Sequence, residues 1–339
     1  MAIEEKNLTY LDYKSDQNPR WCHGCGDHAI LNSVQKAMAE LELKPHETAV
    51  ISGIGCSSRF TYYMNTFGFH TIHGRASAIA SGVKIANPRL KVWQITGDGD
   101  ALAIGGNHFI HCIRRNININ ILLFNNQIYG LTKGQYSPTS QRGFISKTSP
   151  FGTIEHPFRP GELTIGARGN FFARTIDKEL KTSVEIFKEA ALHEGTSIVE
   201  VLQNCVIYND KAHELITDKS LIEDRTILLE QGKPMIFGKE KNKGLILKGA
   251  DLEVVTIGEN GITEKDILVH DATTEDNSLH MKLVNMEYPK YPVALGVIRK
   301  YKAAVYEQEV ELQIASVRQR TKIRSFHDLA KEGDVWEVK

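Results

Sequence analysis

No stretch of this 339-residue sequence approaches the roughly 20 uninterrupted apolar residues that cross a bilayer. Its first residues, Met1 to Lys6, also lack the apolar core of a secretory leader, so no membrane partner and a cytoplasmic location are expected. Neither sign of charge is in excess: Lys plus Arg and Asp plus Glu both total 41. Bulk attraction to nucleic acid is therefore excluded as an organising force. There is no Gly-x-Gly-x-x-Gly fingerprint, internal repeat or low-complexity tract. Cysteine is scarce, at five residues, which in a reducing compartment argues against a disulfide framework and for metal, redox or burial roles. Hydrophobic residues make up 41% of the chain, enough for a substantial core in one large or two ordinary domains.

What is present is organised around residues 97–135. A β-rich apolar run over 92–96 stops at Gly97-Asp98-Gly99-Asp100. A helical pattern follows, with Ile104, Phe109, Ile110 and Ile113 on one face. A second strand over 119–124 then delivers Asn125-Asn126-Gln127-Ile128-Tyr129-Gly130. One βαβ unit thus sets two polar clusters side by side at the carboxyl edge of a sheet, where open α/β sheets bind ligands. Asp98 offers a carboxylate, Asn126 an amide oxygen and Ile128 a backbone carbonyl, a partial oxygen shell of the kind Mg²⁺ accepts when phosphates complete it. Gly-Asp-Gly alone marks an ordinary turn. Followed some two dozen residues later by Asn125-Asn126, it resembles the motif of thiamine diphosphate enzymes, which implies that cofactor here.

Residues 1–20 read as an irregular arm broken by Asn18-Pro19. Trp21-Cys22-His23-Gly24-Cys25-Gly26-Asp27 then opens a helix, with Asp27 suited to the cap and Ile30, Leu31, Val34, Met38 and Leu41 at helical spacing. The strand Thr48–Ser52 runs into Gly53-Ile54-Gly55-Cys56-Ser57-Ser58-Arg59, so a third cysteine sits in a glycine-rich turn. Cys205 follows the strand Ser197–Leu202. Cys112, among Phe109, Ile110 and Ile113, reads as a small core residue. A Cys-x-x-Cys alone fits a redox pair, half a zinc site, half an iron–sulfur site or nothing. Cys22, Cys25, Cys56 and Cys205 are assigned to one four-thiolate site, a set that suits tetrahedral zinc as well.

His73-Gly74-Arg75 leads into the small residues 76–82, a helix ended by Asn87-Pro88. Asn107 and His108 could support a diphosphate or cap a helix. Residues 136–174 are expected to be a long functional loop, and 178–193 a helix with Leu180, Val184, Phe187 and Leu192 inward. The alternation implies an α/β fold, a mostly parallel sheet flanked by helices. Beyond residue 210 a strand is expected near 252–257 and a mixed run over 299–318. The division read from this is an arm (1–20), a cofactor- and cluster-binding domain (21–210) and a C-terminal extension (211–339) packed on a partner subunit.

Trp21-Cys22, Gly24-Cys25-Gly26, Gly55-Cys56-Ser57-Ser58-Arg59, His73-Gly74-Arg75, Gly97-Asp98-Gly99-Asp100, Gly105-Gly106-Asn107-His108 and Tyr129-Gly130-Leu131-Thr132-Lys133-Gly134-Gln135 come in the order seen in the β subunits of 2-oxoacid:ferredoxin oxidoreductases. The resemblance spans about residues 17–210. It implies a thiamine diphosphate-binding fold and a [4Fe–4S] cluster on the four cysteines, and so decides iron–sulfur over zinc. It places Mg²⁺ on Asp98, Asn126 and Ile128, and the organic cofactor among Gly55, Cys56, Ser57, His73, Gly97, Asp98, Gly99, Asp100, Asn126, Ile128, Gly130, Leu131 and Thr132. The reaction implied is oxidative decarboxylation of a 2-oxoacid with coenzyme A, with electrons passing to ferredoxin. An α subunit would supply the carboxylate that activates the cofactor, in a dimer of α–β pairs. His73, Arg59 and Lys133 are the catalytic candidates. Arg59 offers a fork for the 2-oxoacid carboxylate, and Lys133, beside Leu131, a cation for a second one, which favours 2-oxoglutarate over pyruvate. The alternatives are a pyruvate enzyme, a non-redox thiamine diphosphate lyase or synthase, and a zinc-stabilised scaffold.

Overall fold

The computed structural model describes residues 8–336 and 338; the first seven residues of the expected arm, with the leader reading made on them, lie outside these. An eight-stranded sheet carries the fold. Its strands are β1 (Thr48–Ser52), β2 (Phe67–His70), β3 (Lys91–Gly97), β4 (Asn120–Asn125), β5 (Phe171–Ile176), β6 (Ser197–Leu202), β7 (Thr226–Leu229) and β11 (Val293–Lys300), in the order β2-β1-β3-β4-β6-β5-β11-β7. Every pairing is parallel except β11 with β5. Between β7 and β11 the chain forms a second, three-stranded antiparallel sheet from β8 (Ile236–Phe237), β9 (Lys243–Lys248) and β10 (Asp251–Thr256).

β1, β4, β5 and β6 are buried along their whole length, as unbroken apolar runs in parallel sheets require. Successive side chains take opposite faces. Ile51, Ile121, Leu123 and Ile198 join one core with Phe109 and Ile113, whereas Val50, Leu122, Phe124 and Val199 join the other with Ile30, Val34 and Phe187. Helices α1 (Asp27–Glu40) and α6 (Leu180–Leu192) thus cover one face of the sheet. Helices α2 (Ala76–Ala86), α4 (Gly106–Arg115) and α5 (Pro160–Gly166) lie over the other, and the single turn α3 (Asp98–Leu102) follows β3 directly. No helix of the described residues is long and apolar enough to cross a membrane.

Several expectations need correcting. Asp27 is the first residue of α1 and Gly26 its cap, because the Cys25 turn already runs into the helix. Ile104 precedes α4 and is exposed; Phe109, Cys112 and Ile113 form the buried stripe. In α6 Val184 and Phe187 face inward, but Leu180 and Leu192, at the two ends, are 39% and 66% exposed. The supposed loop over 136–174 contains α5 and the start of β5. The main sheet also crosses the boundary drawn at residue 210, since β7 and β11 come from beyond it and β11 pairs with β5.

His193, just after α6, is 7% exposed, with its ring 5.2 Å from that of Phe171 and no hydrogen-bond partner for Nε2. Burial, and then Lys300, push it from 6.5 down to about 4. A histidine lowered on folding stabilises while neutral: its contribution is whole above pH 6.5 and is lost as pH falls toward 4. Acidification from pH 7 to 4.5 should therefore cost about 2 kcal/mol through this residue. Denaturant unfolding of the His193→Leu variant should show a correspondingly smaller acid loss; an unchanged slope would exclude the residue.

Candidate active site at the carboxyl edge of the sheet

Parallel register brings four strand ends to one place. Ser52 lies opposite Ile95, Gly97 opposite Phe124, and Asn125 opposite Leu202. The turns that leave β1, β3, β4 and β6 therefore meet at one edge.

Cys22, Cys25, Cys56 and Cys205 all line one cavity of about 200 Å³, with Asp27, Arg59, Asn126, Gly130 and Leu131 among its walls. The Trp21 indole donates to the Cys56 carbonyl at 2.6 Å, tying the Cys22–Cys25 turn to the Cys56 turn. Gln203 Nε2 donates to Cys25 Sγ at 3.3 Å. A Cβ on Gly130 would stand 3.4 Å from Cys205 Sγ and 3.8 Å from Cys56 Sγ, in contact with both thiols. Burial pushes Cys25 far above the usual thiol range and Cys56 up to about 11, with the Asp27 carboxylate adding to both. Thiolates here need a cationic group to hold them. Four cysteines around one cavity are a donor set that suits tetrahedral zinc and an iron–sulfur cluster alike.

Next to this cavity, Asp98 begins α3 and is 2% exposed. Its Oδ2 accepts from Ser137 Oγ and Thr139 Oγ1, both at 2.5 Å, and burial pushes its carboxyl up to about 6. Asn126 Oδ1 accepts from the Ile128 amide at 3.1 Å, which curls the turn after β4. The Tyr129 hydroxyl donates to the Gly99 carbonyl at 2.9 Å, and a Cβ on Gly99 would lie 2.2 Å from that ring, so a glycine is required. These bonds fix the Asp98, Asn126 and Ile128 backbone as a set of oxygen donors, the chemistry that a Mg²⁺–diphosphate pair needs.

The Asp100 carboxylate is held within the protein. Oδ1 accepts from the Ile54 and Gly74 amides at 3.1 and 2.7 Å and stands 2.9 Å from His73 Nδ1, while Oδ2 accepts from Thr96 Oγ1 at 2.8 Å. Both oxygens are taken by protein groups, so Asp100 locks the Gly53–Ile54 turn and His73 to β3. Gly74, at φ +71°, is needed because a Cβ would meet the Gly105 amide at 2.6 Å. Gly105, not Asn107 or His108, caps α4, and His108 contacts Arg75. Thr132 bonds Gln135 through its hydroxyl at the surface. Arg59 and Leu131 line the cysteine cavity; Lys133 is exposed and does not.

The family model for the thiamine pyrophosphate enzyme C-terminal TPP-binding domain matches residues 53–201. Over 330 residues the chain is 43% identical to the 2-oxoglutarate oxidoreductase subunit KorB of Mycobacterium tuberculosis, covering 96% of this chain and 88% of that one. The chain belongs to the family of 2-oxoacid:ferredoxin oxidoreductase β subunits. Subunit β of the 2-oxoacid:ferredoxin oxidoreductase 1 of Aeropyrum pernix is 47% identical over 58% of this chain and 62% of its own. A solved 2-oxoglutarate:ferredoxin oxidoreductase from Magnetococcus marinus, with 2-oxoglutarate, coenzyme A and succinyl-CoA bound, matches with a TM-score of 0.77 and 31% identity over 98% of both chains.

Behind the site of this β subunit runs a buried polar chain that motif reading missed. Thr139 Oγ1 donates to Asn125 Oδ1 at 2.9 Å, Asn125 Nδ2 donates to Glu200 Oε1 at 2.7 Å, and Arg174 Nε donates to Glu200 Oε2 at 2.7 Å. Arg174 also donates to the Val284 and Ala294 carbonyls, which ties the site to the last third of the chain. Removing one partner of a buried pair costs about 3–5 kcal/mol, so Glu200 and Arg174 stand or fall together. The signal was available: Glu200 is a charge in the middle of an otherwise apolar strand, and such a charge needs a buried partner.

Proposed function

We propose that this β subunit holds thiamine diphosphate through Mg²⁺ at Asp98, Asn126 and Ile128, and a [4Fe–4S] cluster on Cys22, Cys25, Cys56 and Cys205. With its α subunit it oxidatively decarboxylates 2-oxoglutarate with coenzyme A to succinyl-CoA and CO₂, passing two electrons singly to ferredoxin. The observation that carries this reading is the turn after β4. Asn126, an oxygen donor of the diphosphate edge, and Gly130, against two of the thiols, both line the cysteine cavity. One short turn thus separates the place of carbon chemistry from the place of electron acceptance. When bound, the cofactor supplies carbanion chemistry at the keto carbon and the cluster a one-electron outlet.

The protein's part is positioning. Asp98 and Asn126 neutralise and orient, Asp100 stands 2.9 Å from His73 Nδ1 and orients its ring, and Arg59 presents a cation to the substrate carboxylate. The names of the relatives support 2-oxoglutarate as the acid. The test is anaerobic turnover of the assembled α–β enzyme with coenzyme A and ferredoxin. Turnover on 2-oxoglutarate exceeding that on pyruvate, and none from the β subunit alone, is expected. Turnover without ferredoxin reduction would point to a non-redox lyase and sink the proposal.

A further inference from the structure

Gln203 is the first residue after β6, and its backbone amide extends the ladder by donating to the Asn125 carbonyl at 3.0 Å. It therefore stands between the turn that carries Asn126 and the turn that carries Cys205. Its side chain is 1% exposed and lines the cysteine cavity. Nε2 has two hydrogens, and each finds an acceptor: the Asn204 carbonyl at 2.6 Å and Cys25 Sγ at 3.3 Å. Oε1 is buried and has no hydrogen-bond partner.

The Asn204 carbonyl decides which end of the side-chain amide faces the sulfur. Turned over, Oε1 would meet that carbonyl oxygen to oxygen at the same short distance, with no hydrogen between them. The carbonyl is itself held, since it accepts from the Gly26 amide at 3.3 Å while the Asn204 amide donates to Asp177 Oδ2 at 2.8 Å. The N–H end is thus aimed at Cys25 by its surroundings. For the fold alone a glutamine here gains little, because a buried amide oxygen without a donor costs at least as much as one carbonyl bond returns.

We infer that Gln203 tunes the four-cysteine centre: its side-chain N–H donates to the Cys25 thiolate and raises the centre's reduction potential. This rests on the iron–sulfur reading proposed above, because zinc has no second oxidation state to favour. A donor at a ligand sulfur stabilises the reduced centre more than the oxidised one, since the reduced centre carries one more negative charge. One electron enters, no proton moves, and the hydrogen stays on Nε2. The residue that takes its backbone bond from the diphosphate edge thereby makes the neighbouring sulfur site a better electron acceptor.

The test uses the anaerobically purified α–β holoenzyme with two substitutions. Gln203→Met keeps the length of the side chain and removes the donor. Trp21→Phe removes the N–H bond to the Cys56 carbonyl, a tie in the same cavity wall that reaches no sulfur. Iron and labile sulfide are measured for each, and the midpoint potential is followed by electron paramagnetic resonance against redox dyes. Gln203→Met should keep iron at the parent level and shift the reduction equilibrium about 10-fold toward the oxidised form, a potential about 59 mV lower for one electron. Trp21→Phe should move the potential far less. An unchanged or higher potential in Gln203→Met, or an equal fall in Trp21→Phe, would overturn the assignment. So would loss of iron from Gln203→Met, which would mean that the side chain builds the site rather than tunes it. A parent enzyme without iron would instead overturn the proposed function, and this inference with it.

Discussion

The Cys56→Ser enzyme should leave anaerobic purification pale, with iron and labile sulfide far below the parent and ferredoxin-linked turnover reduced by more than about 100-fold. Loss of mere supports around a metal ligand already costs 10–100-fold, so loss of a ligand should cost more. The expectation follows from where Cys56 lies. It shares one cavity with Cys22, Cys25 and Cys205, it is coupled electrostatically to two of them, and burial keeps its thiol protonated unless a cation is present. Cys112→Ser is the control. That side chain is 2% exposed in the core beside Phe109 and Ile113, 4.0 Å from Thr196 Oγ1, and its replacement should cost stability while leaving iron content at the parent level. Full iron in Cys56→Ser, or iron lost in Cys112→Ser, would show that the cysteines had been sorted wrongly. A non-redox lyase predicts no iron in the parent at all.

Much of this was legible because it is local. The βαβ unit from β3 to β4 shows in its apolar runs and in the glycines that end them, and the thiols could be sorted because Cys112 alone falls within a helical apolar stripe. What was missed depends on contacts between distant segments. β5 was hidden because Arg174 interrupts an apolar run, and only Glu200, on the neighbouring strand, makes that charge tolerable. β11 was hidden because its place is set by pairing with β5, more than 100 residues away in the chain, and β7 because it pairs in turn with β11. Ser137 and Thr139 fell in a stretch read as loop, yet they are the residues that hold Asp98. Asp100 stands in the motif, and only the geometry shows that its side-chain oxygens face Ile54, Gly74 and Thr96.

Asp98→Asn gives a result of opposite sign with and without cofactor. Burial lifts the Asp98 carboxyl from 3.8 to about 6, and the hydrogen bonds from Ser137 and Thr139 only partly counter this. A carboxyl raised on folding contributes stability that is fully present below pH 3.8, where it is protonated, and lost as pH rises through 6. At pH 8 the cofactor-free parent therefore carries an ionised buried carboxylate at a cost of about 3 kcal/mol. An amide oxygen in the same place still accepts from both hydroxyls and has no charge to bury. Cofactor-free Asp98→Asn should thus match or exceed the parent in stability at pH 8, with the advantage fading toward pH 4. Mg²⁺ with thiamine diphosphate should reverse the order if, as proposed, the carboxylate that destabilises the cofactor-free fold is the one that holds the metal. The parent should gain stability on adding both, whereas the variant should gain little and bind the cofactor at least about 10-fold more weakly, the loss expected when one charged partner goes. Thermal unfolding at pH 5 and pH 8, with and without the pair, reads both arms. An Asp98→Asn protein that is less stable than the parent when cofactor-free at pH 8, or that is stabilised as much as the parent by Mg²⁺ and thiamine diphosphate, would mean that Asp98 serves the fold and that the metal is held elsewhere.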